Sequence, residues 1–364
     1  MRVVAAMSGG VDSSVTAALL LEQGFEVIGI HMKLHDTPEP TADSCDTKTC
    51  CGLDDVNDCR KVADKLGIPF YVMDLRQAFH KAVQEDFVNN YVKGWTPNPC
   101  IQCNGVLKFQ ILLQRAKALG AEYLATGHYA QKTADNVLQM AIDQNKDQSY
   151  FLFPIKPDAL KQTLFPLGGM TKDEVRAHAK RLGLVTASKP ESQDICFLPN
   201  GNHADFVSAE LAKKSDEVVD GSGDIVDVDG NILGQHDGYW KYTIGQRRGL
   251  GVAMGKPVYV VDIDASSKRV VLGEDEHLLT TALEARNVNW FRKPQEDEPL
   301  LARIRHRGAL HPCTIEETDN GLMVHFQAKA RAVAPGQGVV IYSGLGDANQ
   351  REVIAGAWIR RRIV

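Results

Sequence analysis

The sequence predicts an α/β domain built on a parallel sheet, followed by a small, mostly β central domain and a C-terminal β-barrel. Three observations predict it. Up to about residue 200, short apolar runs alternate with amphipathic helical patterns. A glycine turn, Ser8-Gly9-Gly10, joins the first apolar run to the first helical pattern. Beyond residue 200 the helical period gives way to short strands separated by turn signals. Strand–helix alternation calls for a parallel sheet with helices on both faces, because parallel neighbours need a crossover. Closely spaced short strands close instead into a sandwich or barrel.

The elements follow in order. RVVAAM (2–7) reads as a buried strand, and a helix runs from the glycine turn to about residue 23. EVIGIHM (26–32), PFYVMDL (69–75) and YLATGHY (123–129) read as further strands. Amphipathic stretches such as DVNDCRKVADKLG and KFQILLQRAKALG lie between them. Thr171, with Glu174 three residues on, forms a capping box that starts a helix through KDEVRAHAKRLGL. In the central part, VDG-N and HDG-Y mark turns, and KPVYVVDIDASSKRVVLG reads as two strands joined at DASS. LLARIRHRG, CTIEET, LMVHFQ, GVVIYSG and EVIAGAWIRR supply the barrel strands. The resulting divisions are 1–203, 204–276 and 277–364.

Composition bounds the functional classes. The chain has 364 residues, 44% hydrophobic and 24% charged, which is enough sequence for two or three cores. No run approaches the ~20 apolar residues of a membrane span, so no membrane partner is expected. The opening MRVVAAMSGG turns glycine-rich too quickly for a secretion signal, so the expected location is cytoplasmic. The eight cysteines are then expected as thiols rather than disulfides. Net charge is −5, which excludes a uniformly basic nucleic-acid coat. The last 64 residues nevertheless carry nine Lys/Arg against five Asp/Glu. That asymmetry fits either a polyanion-facing end or a solvated face.

The chemistry begins at Ser8-Gly9-Gly10-Val11-Asp12-Ser13-Ser14. Two glycines permit close backbone approach, several N–H groups converge on one anion, and the helix N-terminus adds partial positive charge. The loop lacks G-x-x-x-x-G-K-S/T and is not G-x-G-x-x-G. SGGVDSS after an N-terminal strand resembles the PP-loop of ATP pyrophosphatases, whose domain is of the adenine nucleotide alpha hydrolase type. The resemblance implies cleavage of ATP between its α and β phosphates. It also implies ATP contacts from Ala6, Met7, Ser8, Gly9, Gly10, Val11, Asp12 and Ser13. Asp12 would approach the phosphates through Mg2+, since a bare carboxylate is repelled there. Met32 and Gly127, at strand C-termini, are placed to touch the nucleotide, as open α/β sheets bind ligands there. A core methionine accounts for Met32 nearly as well.

Thr96-Pro97-Asn98-Pro99-Cys100-Ile101-Gln102-Cys103 leads into a helix expected from about Val106. Near a helix N-terminus the dipole favours the Cys103 thiolate. Half a zinc site or a redox couple also fits C-x-x-C. Cys196, in SKPESQDICF, taken alone reads as a structural cysteine.

SGGVDSS, PNP-C-x-x-C-N-x-x-x-KF, ATGHY, KDQSYFL, SKPESQDICF and GQRRGL occur in that order. Together they resemble the tRNA-specific 2-thiouridylase family over nearly the whole chain. The resemblance implies that ATP adenylates the C2 oxygen of the wobble uridine of tRNA. A persulfide on Cys196, supplied by a sulfur-donor protein, then replaces it. Cys103 would be the second catalytic thiol and form a transient disulfide with Cys196. Asn98, Pro99 and Cys100 would line the target-base pocket. His128, Lys146, Asp147, Gln148, Arg305, His306 and Gln337 would contact tRNA. Arg303, Arg305 and Arg307 alternate and are expected on one strand face, and Arg360, Arg361 and Arg362 add charge as either a basic surface or a frayed tail.

Many family members carry aspartate where Cys100 stands. Cys100, Cys103 and Cys196 therefore leave open a route through a 4Fe–4S cluster with one free iron. Another AMP-forming PP-loop ligase and a non-catalytic RNA-binding or iron–sulfur protein are rivals. The first has no use for the cysteine pair, and the second has none for the ATP loop. Cys45, Cys50, Cys51 and Cys59 have no assigned role.

Overall fold

The computed structural model describes residues 1–36, 53–191, 194–198, 201–214, 219–348 and 350–364. Cys45, Cys50 and Cys51 lie outside the described residues.

The N-terminal sheet has five parallel strands. β1 (Arg2–Ala6) pairs on one side with β2 (Glu26–Lys33), which pairs with β3 (Phe70–Asp74). On its other side β1 pairs with Tyr123–Ala125, and that strand pairs with Thr163–Leu164. Strand order therefore reverses at β1, the point where open α/β sheets form a crevice at their C-terminal ends. Alternate residues of β1 enter different cores. Val3 and Ala5 join one cluster with α1 (Val11–Glu22) and α2 (Leu53–Leu66), and Val4 joins another with Phe109, Leu112 and Leu113.

YLATGHY yields a strand only over Tyr123–Ala125, which leaves Thr126, Gly127 and His128 on the crevice rim. The helix after the prolines starts at Pro99, not near Val106. Asn98 is its N-cap, accepting a hydrogen bond from the Ile101 N–H, and Pro99 occupies the first turn. The helix passes through a π-helical stretch, Cys103–Leu112, before Leu113–Ala118. The expected capping box is present: Thr171 Oγ1 accepts from the Glu174 N–H, and Glu174 accepts from the Thr171 N–H at 2.7 Å.

A helix over His203–Lys214 was not expected. Val207 and Leu211, one turn apart, enter a cluster with Phe87, Tyr91, Ile225 and Trp240. This joins helices of the first domain to the central four-stranded sheet, ordered Tyr259–Asp264, Arg269–Gly273, Gly223–Asp227, Ile232–His236. The DASS turn is closed by Asp264, whose carboxylate accepts from the backbone and hydroxyls of Ser266 and Ser267.

The C-terminal domain is a closed six-stranded antiparallel barrel running from Leu279–Trp290 round to Val353–Ile363. It is welded to the first domain. Val340, Tyr342 and Val353 enter the same core as Tyr150, Leu152 and Phe153, and Asn289 donates to the carbonyls of Phe153 and Ile155. The barrel corrects one expectation. Its fourth strand in spatial order ends at Arg303, so Arg303, Arg305 and Arg307 do not form a row on one strand face. Arg303 is buried, whereas Arg305 and Arg307 stand exposed in the following turn. The terminal arginines do not fray: Arg360 and Arg361 both bind the buried carboxylate of Glu284 from within the last strand. Among the described residues no helix is long and apolar enough to cross a membrane.

Candidate active site

The phosphate loop sits at the strand-order reversal. Gly9 has φ +80°, and a Cβ there would lie 2.7 Å from the Asp55 carbonyl oxygen, so only glycine fits between loop and α2. Gly10 is the N-cap of α1, and no side chain caps the first turn. Ser8 N–H and Ser13 Oγ are 3.1 Å apart, and Ser13 and Ser14 hydroxyls donate to the Gly10 carbonyl. The hydroxyls thus shape the loop, and the first-turn N–H groups of α1 point along its axis into the crevice. Beneath the loop, buried His31 hydrogen-bonds the Met7 carbonyl through Nδ1 at 3.0 Å, and burial lowers its pKa. Cys59 lies in the same core, where burial pushes its thiol up to about 12.

Gly127 packs closely on the start of α1. A Cβ on it would come within 2.9 Å of Ser13 N and 3.0 Å of Asp12 C. Its missing side chain lets the rim pack on the first turn of α1. Met32 is half-buried and packs against two cores, and Ala6 and Met7 pack with the sheet.

Asp12 is held by residues that the motif does not contain. Lys172 Nζ contacts its two carboxylate oxygens at 2.8 and 2.9 Å, and the Tyr129 hydroxyl donates to it at 2.8 Å. Burial, with Asp12 alongside, raises the Tyr129 pKa, so the phenol stays a donor. Lys172 also binds Glu191 at 2.5 Å, and Glu191 binds Lys146 at 2.7 Å. The sequence reading missed Lys172, Tyr129 and Glu191 as parts of the site. The available signal was a lysine directly after the Thr171 cap and an acid shortly before Cys196.

Cys100 is exposed and Cys103 half-buried, on successive turns of the helix that Asn98 caps. Cys103 and Cys196 pack against one apolar cluster that includes Leu34, Phe79, Phe87, Leu107 and Phe197, and Met32 packs against it too. The expected stabilisation of the Cys103 thiolate by the helix N-terminus is not what dominates. Burial raises the Cys103 pKa, and the positive charge of Lys108 partly opposes this. Lys108 Nζ lies 3.3 Å from His128 Nε2, whose Nδ1 is 2.8 Å from Thr126 Oγ1. Burial, aided by Lys108, drives the His128 pKa well down, so the ring is neutral and Nε2 accepts from the lysine.

Several residues expected at the RNA surface are engaged inside the protein. Asp147 is buried, with Arg303 at 2.7 Å and the Ser149 hydroxyl at 2.9 Å. Its carboxylate anchors the barrel and does not face solvent. Gln148 accepts from the Tyr129 N–H at 3.0 Å. Gln337 donates from Nε2 to the carbonyls of Thr96 and Pro97, and Asn98 Nδ2 lies 3.4 Å from its Oε1. The barrel therefore clasps the Thr96-Pro97-Asn98 stretch. Arg305 donates to the carbonyls of Arg331 and Ala332 from an exposed position. His306 lies against Phe151, with ring centroids 4.2 Å apart. Lys146 is half-exposed beside Glu191.

Comparison with known proteins decides the family. Residues 1–200 match the tRNA methyl transferase HUP domain, 206–274 the tRNA methyl transferase PRC-barrel domain, and 280–359 the aminomethyltransferase beta-barrel domain. The chain is 46% identical over 369 residues to the tRNA-specific 2-thiouridylase MnmA of Geotalea uraniireducens, covering 100% of this chain and 96% of that one. The protein of the same name from Geobacter metallireducens is also 46% identical, over 98% of this chain and 96% of that one. The chain belongs to the tRNA-specific 2-thiouridylase family. The domain descriptions speak of methyl transfer, but the 2-thiouridylases align with this chain across all three regions, and its phosphate loop and cysteine segments accord with their name. Among solved structures, a 4-thiouridine synthetase–RNA complex with bound ATP is 18% identical, with a TM-score of 0.38, over 54% of this chain and 44% of that one.

As a member of this family, the chain is a tRNA sulfurtransferase. Among the described residues, no three His, Cys, Asp or Glu side chains gather as a metal-ligand set.

Proposed function

We propose that this 2-thiouridylase adenylates the C2 oxygen of the wobble uridine of tRNA and replaces it with sulfur carried on Cys196. The observation that carries the reading is the shared apolar cluster. Cys103 and Cys196 pack against it together with Met32, which lies near the C-terminal end of β2 next to the loop-bearing strand β1, so sulfur chemistry and nucleotide chemistry meet at one wall. ATP enters as its Mg2+ complex, with pyrophosphate cradled by Ser8–Ser14 and the helix N-terminus. Transfer of AMP to the uridine oxygen releases pyrophosphate and turns that oxygen into a good leaving group. The terminal sulfur of a Cys196 persulfide attacks C2, AMP departs, and the Cys103 thiolate takes the inner sulfur to form a Cys103–Cys196 disulfide. An external thiol reduces this disulfide, and a sulfur-donor protein reloads Cys196.

The wobble base must leave its stack to reach this wall. Asn98, Pro99 and Cys100 line its pocket, held by the Gln337 clasp. Lys146, Arg305, His306 and the backbone beside Asp147, Gln148 and His128 form the RNA-facing side. Family and chemistry support a cytoplasmic place of work.

The test is a thiolation assay with purified protein. Cys196→Ala and Cys103→Ala should each abolish 2-thiouridine formation while ATP and tRNA still bind. Full thiolation by the Cys196→Ala protein would sink the mechanism.

A further inference from the structure

We propose that Lys108 is a further catalytic residue: its ammonium holds the O2 oxygen of the target uridine and the α-phosphate joined to it, first as AMP is attached and again as AMP departs. The proposal rests on reading the reaction as adenylation at O2 followed by displacement by sulfur.

The helix that carries Cys103 is wound so as to bring this lysine to the thiol. Residues Cys103–Leu112 are π-helical. An α-helix sets residues five apart on different faces, whereas i→i+5 bonding brings them nearly into line. Lys108 follows Cys103 by five positions, and its charge acts on that thiol. Most π-helical segments are single turns, and this one is 10 residues long.

On its other side Lys108 reaches the rim of the nucleotide crevice. Its Nζ lies 3.3 Å from His128 Nε2, and His128 Nδ1 lies 2.8 Å from Thr126 Oγ1. Phe109 and Phe165 flank the imidazole, with ring centroids 6.0 and 6.4 Å away. Gly127, between Thr126 and His128, packs on Ser13 of the phosphate loop. One side chain therefore spans from the thiol helix to the rim that abuts the phosphate loop. It does so without a counter-ion. Lys146 and Lys172 each pair with an acid, but among the described residues no carboxylate stands within ion-pair distance of half-buried Lys108. Its hydrogen-bond partner is a neutral ring. A partly buried cation left with a neutral partner favours an anion brought by the substrate.

The reaction supplies that anion twice. In adenylation, O2 attacks the α-phosphorus, the bond to pyrophosphate breaks, and the base sheds its N3 proton to water. In displacement, the persulfide sulfur bonds to C2, the C2–O2 bond breaks, and O2 leaves with the electron pair as an oxygen of AMP. Both transition states gather negative charge around O2 and the α-phosphate. These atoms must sit between thiol and phosphate loop, because sulfur reaches C2 from one side and ATP reaches O2 from the other. Lys108 bridges the same two sides. It gives up no proton in either step. It holds charge, and the apolar neighbours strengthen that attraction.

The test is single-turnover pyrophosphate release, with Mg2+-ATP and an unmodified tRNA transcript carrying a wobble uridine, and with no sulfur donor. Lys108→Met and Lys108→Gln should each slow release by about a hundredfold or more, while the dissociation constants for ATP and tRNA stay within about threefold of wild type. Retained binding shows that the variants are folded. Lys108→Arg, which keeps the charge, should recover much of the rate. The same loss should appear when Lys108→Met is placed in a Cys103→Ala protein, where no thiol remains to be ionised. Release at the wild-type rate by both neutral variants overturns the proposal. So does a loss that lies wholly in binding, or one that vanishes in the Cys103→Ala protein, since the lysine would then serve only the thiol. Pyrophosphate release involves no sulfur, so an active Cys196→Ala protein would remove the sulfur-carrier reading and leave these rates untouched. A wild type that releases no pyrophosphate when tRNA is added would remove the adenylation reading, and this role with it.

Discussion

Asp147 and Arg303 form an ion pair of 2.7 Å between segments 156 residues apart, with the carboxylate fully buried and the guanidinium 10% exposed. The pair joins the KDQSY segment of the catalytic domain to the barrel. It is also fully hydrogen-bonded on the acid side: Asp147 accepts from the Ala141 N–H and from Ser149 as well. The guanidinium lies 5.2 Å above the Tyr342 ring. Two charges so deeply placed depend on each other, because either alone is a buried ion without a counterpart.

Removing one partner should therefore cost far more than removing both. Arg303→Met is expected to lower unfolding free energy by about 3–5 kcal/mol, and Asp147→Asn to be of similar sign. The double variant should recover a good part of the loss. Urea denaturation of the four proteins measures this, and strictly additive losses would show that the pair is not coupled.

Gly127→Ala should damage the nucleotide side specifically. The added methyl meets Ser13 N and Asp12 C, which are backbone atoms of the first turn of α1 and cannot rotate away. Overpacking of this kind costs about 1–3 kcal/mol, and it displaces the N–H groups that would cradle phosphate. Weaker ATP binding by calorimetry, with barrel-side tRNA affinity retained, is the expected outcome.

The phosphate loop was legible because strand, turn and helix are contiguous, and each asks for the same glycines and hydroxyls. What surrounds the loop was not. Lys172 reaches Asp12 across 160 residues, a meeting set by where the helix Lys172–Arg181 packs on α1. Cys103 shows the same limit in energetic form. Proximity to a helix start is local and favours a thiolate, whereas burial against Phe79 and Leu107 comes from tertiary packing and outweighs it. The arginine row failed for a related reason. Alternation specifies faces only while a strand lasts, and pairing with Gly338–Ser343 ends at Arg303. The helix at His203–Lys214 had a readable signal in Val207 and Leu211, masked by the turn-rich stretch that follows.

Lys108→Met should make Cys103 harder to ionise. The lysine charge opposes the effect of burial on that thiol, so its loss moves the Cys103 pKa further up. Alkylation of Cys103 at mildly alkaline pH should slow, and its rate profile should shift to higher pH. Lys108→Arg should restore most of the rate by keeping the charge. An unchanged profile in the methionine variant would mean that the lysine serves only His128.

His306 predicts acid sensitivity at the joint between barrel and catalytic domain. Burial is the main cause that lowers its pKa from 6.5 to about 4, with Asp147 opposing and Arg307 and Arg303 assisting. In the unfolded chain the imidazole protonates near its ordinary value. Between about pH 6.5 and 4 the unfolded state thus holds more protons than the folded one, and stability rises with pH across that window. The contribution is complete above about 6.5 and is lost as pH falls toward 4. His306→Phe keeps an aromatic ring against Phe151, 4.2 Å away in the native protein, and removes the titration. The melting temperature of this variant should fall less steeply between pH 7 and 5 than that of the wild type. Parallel curves for the two proteins would show that other buried histidines, such as His31 and His128, carry the whole acid response.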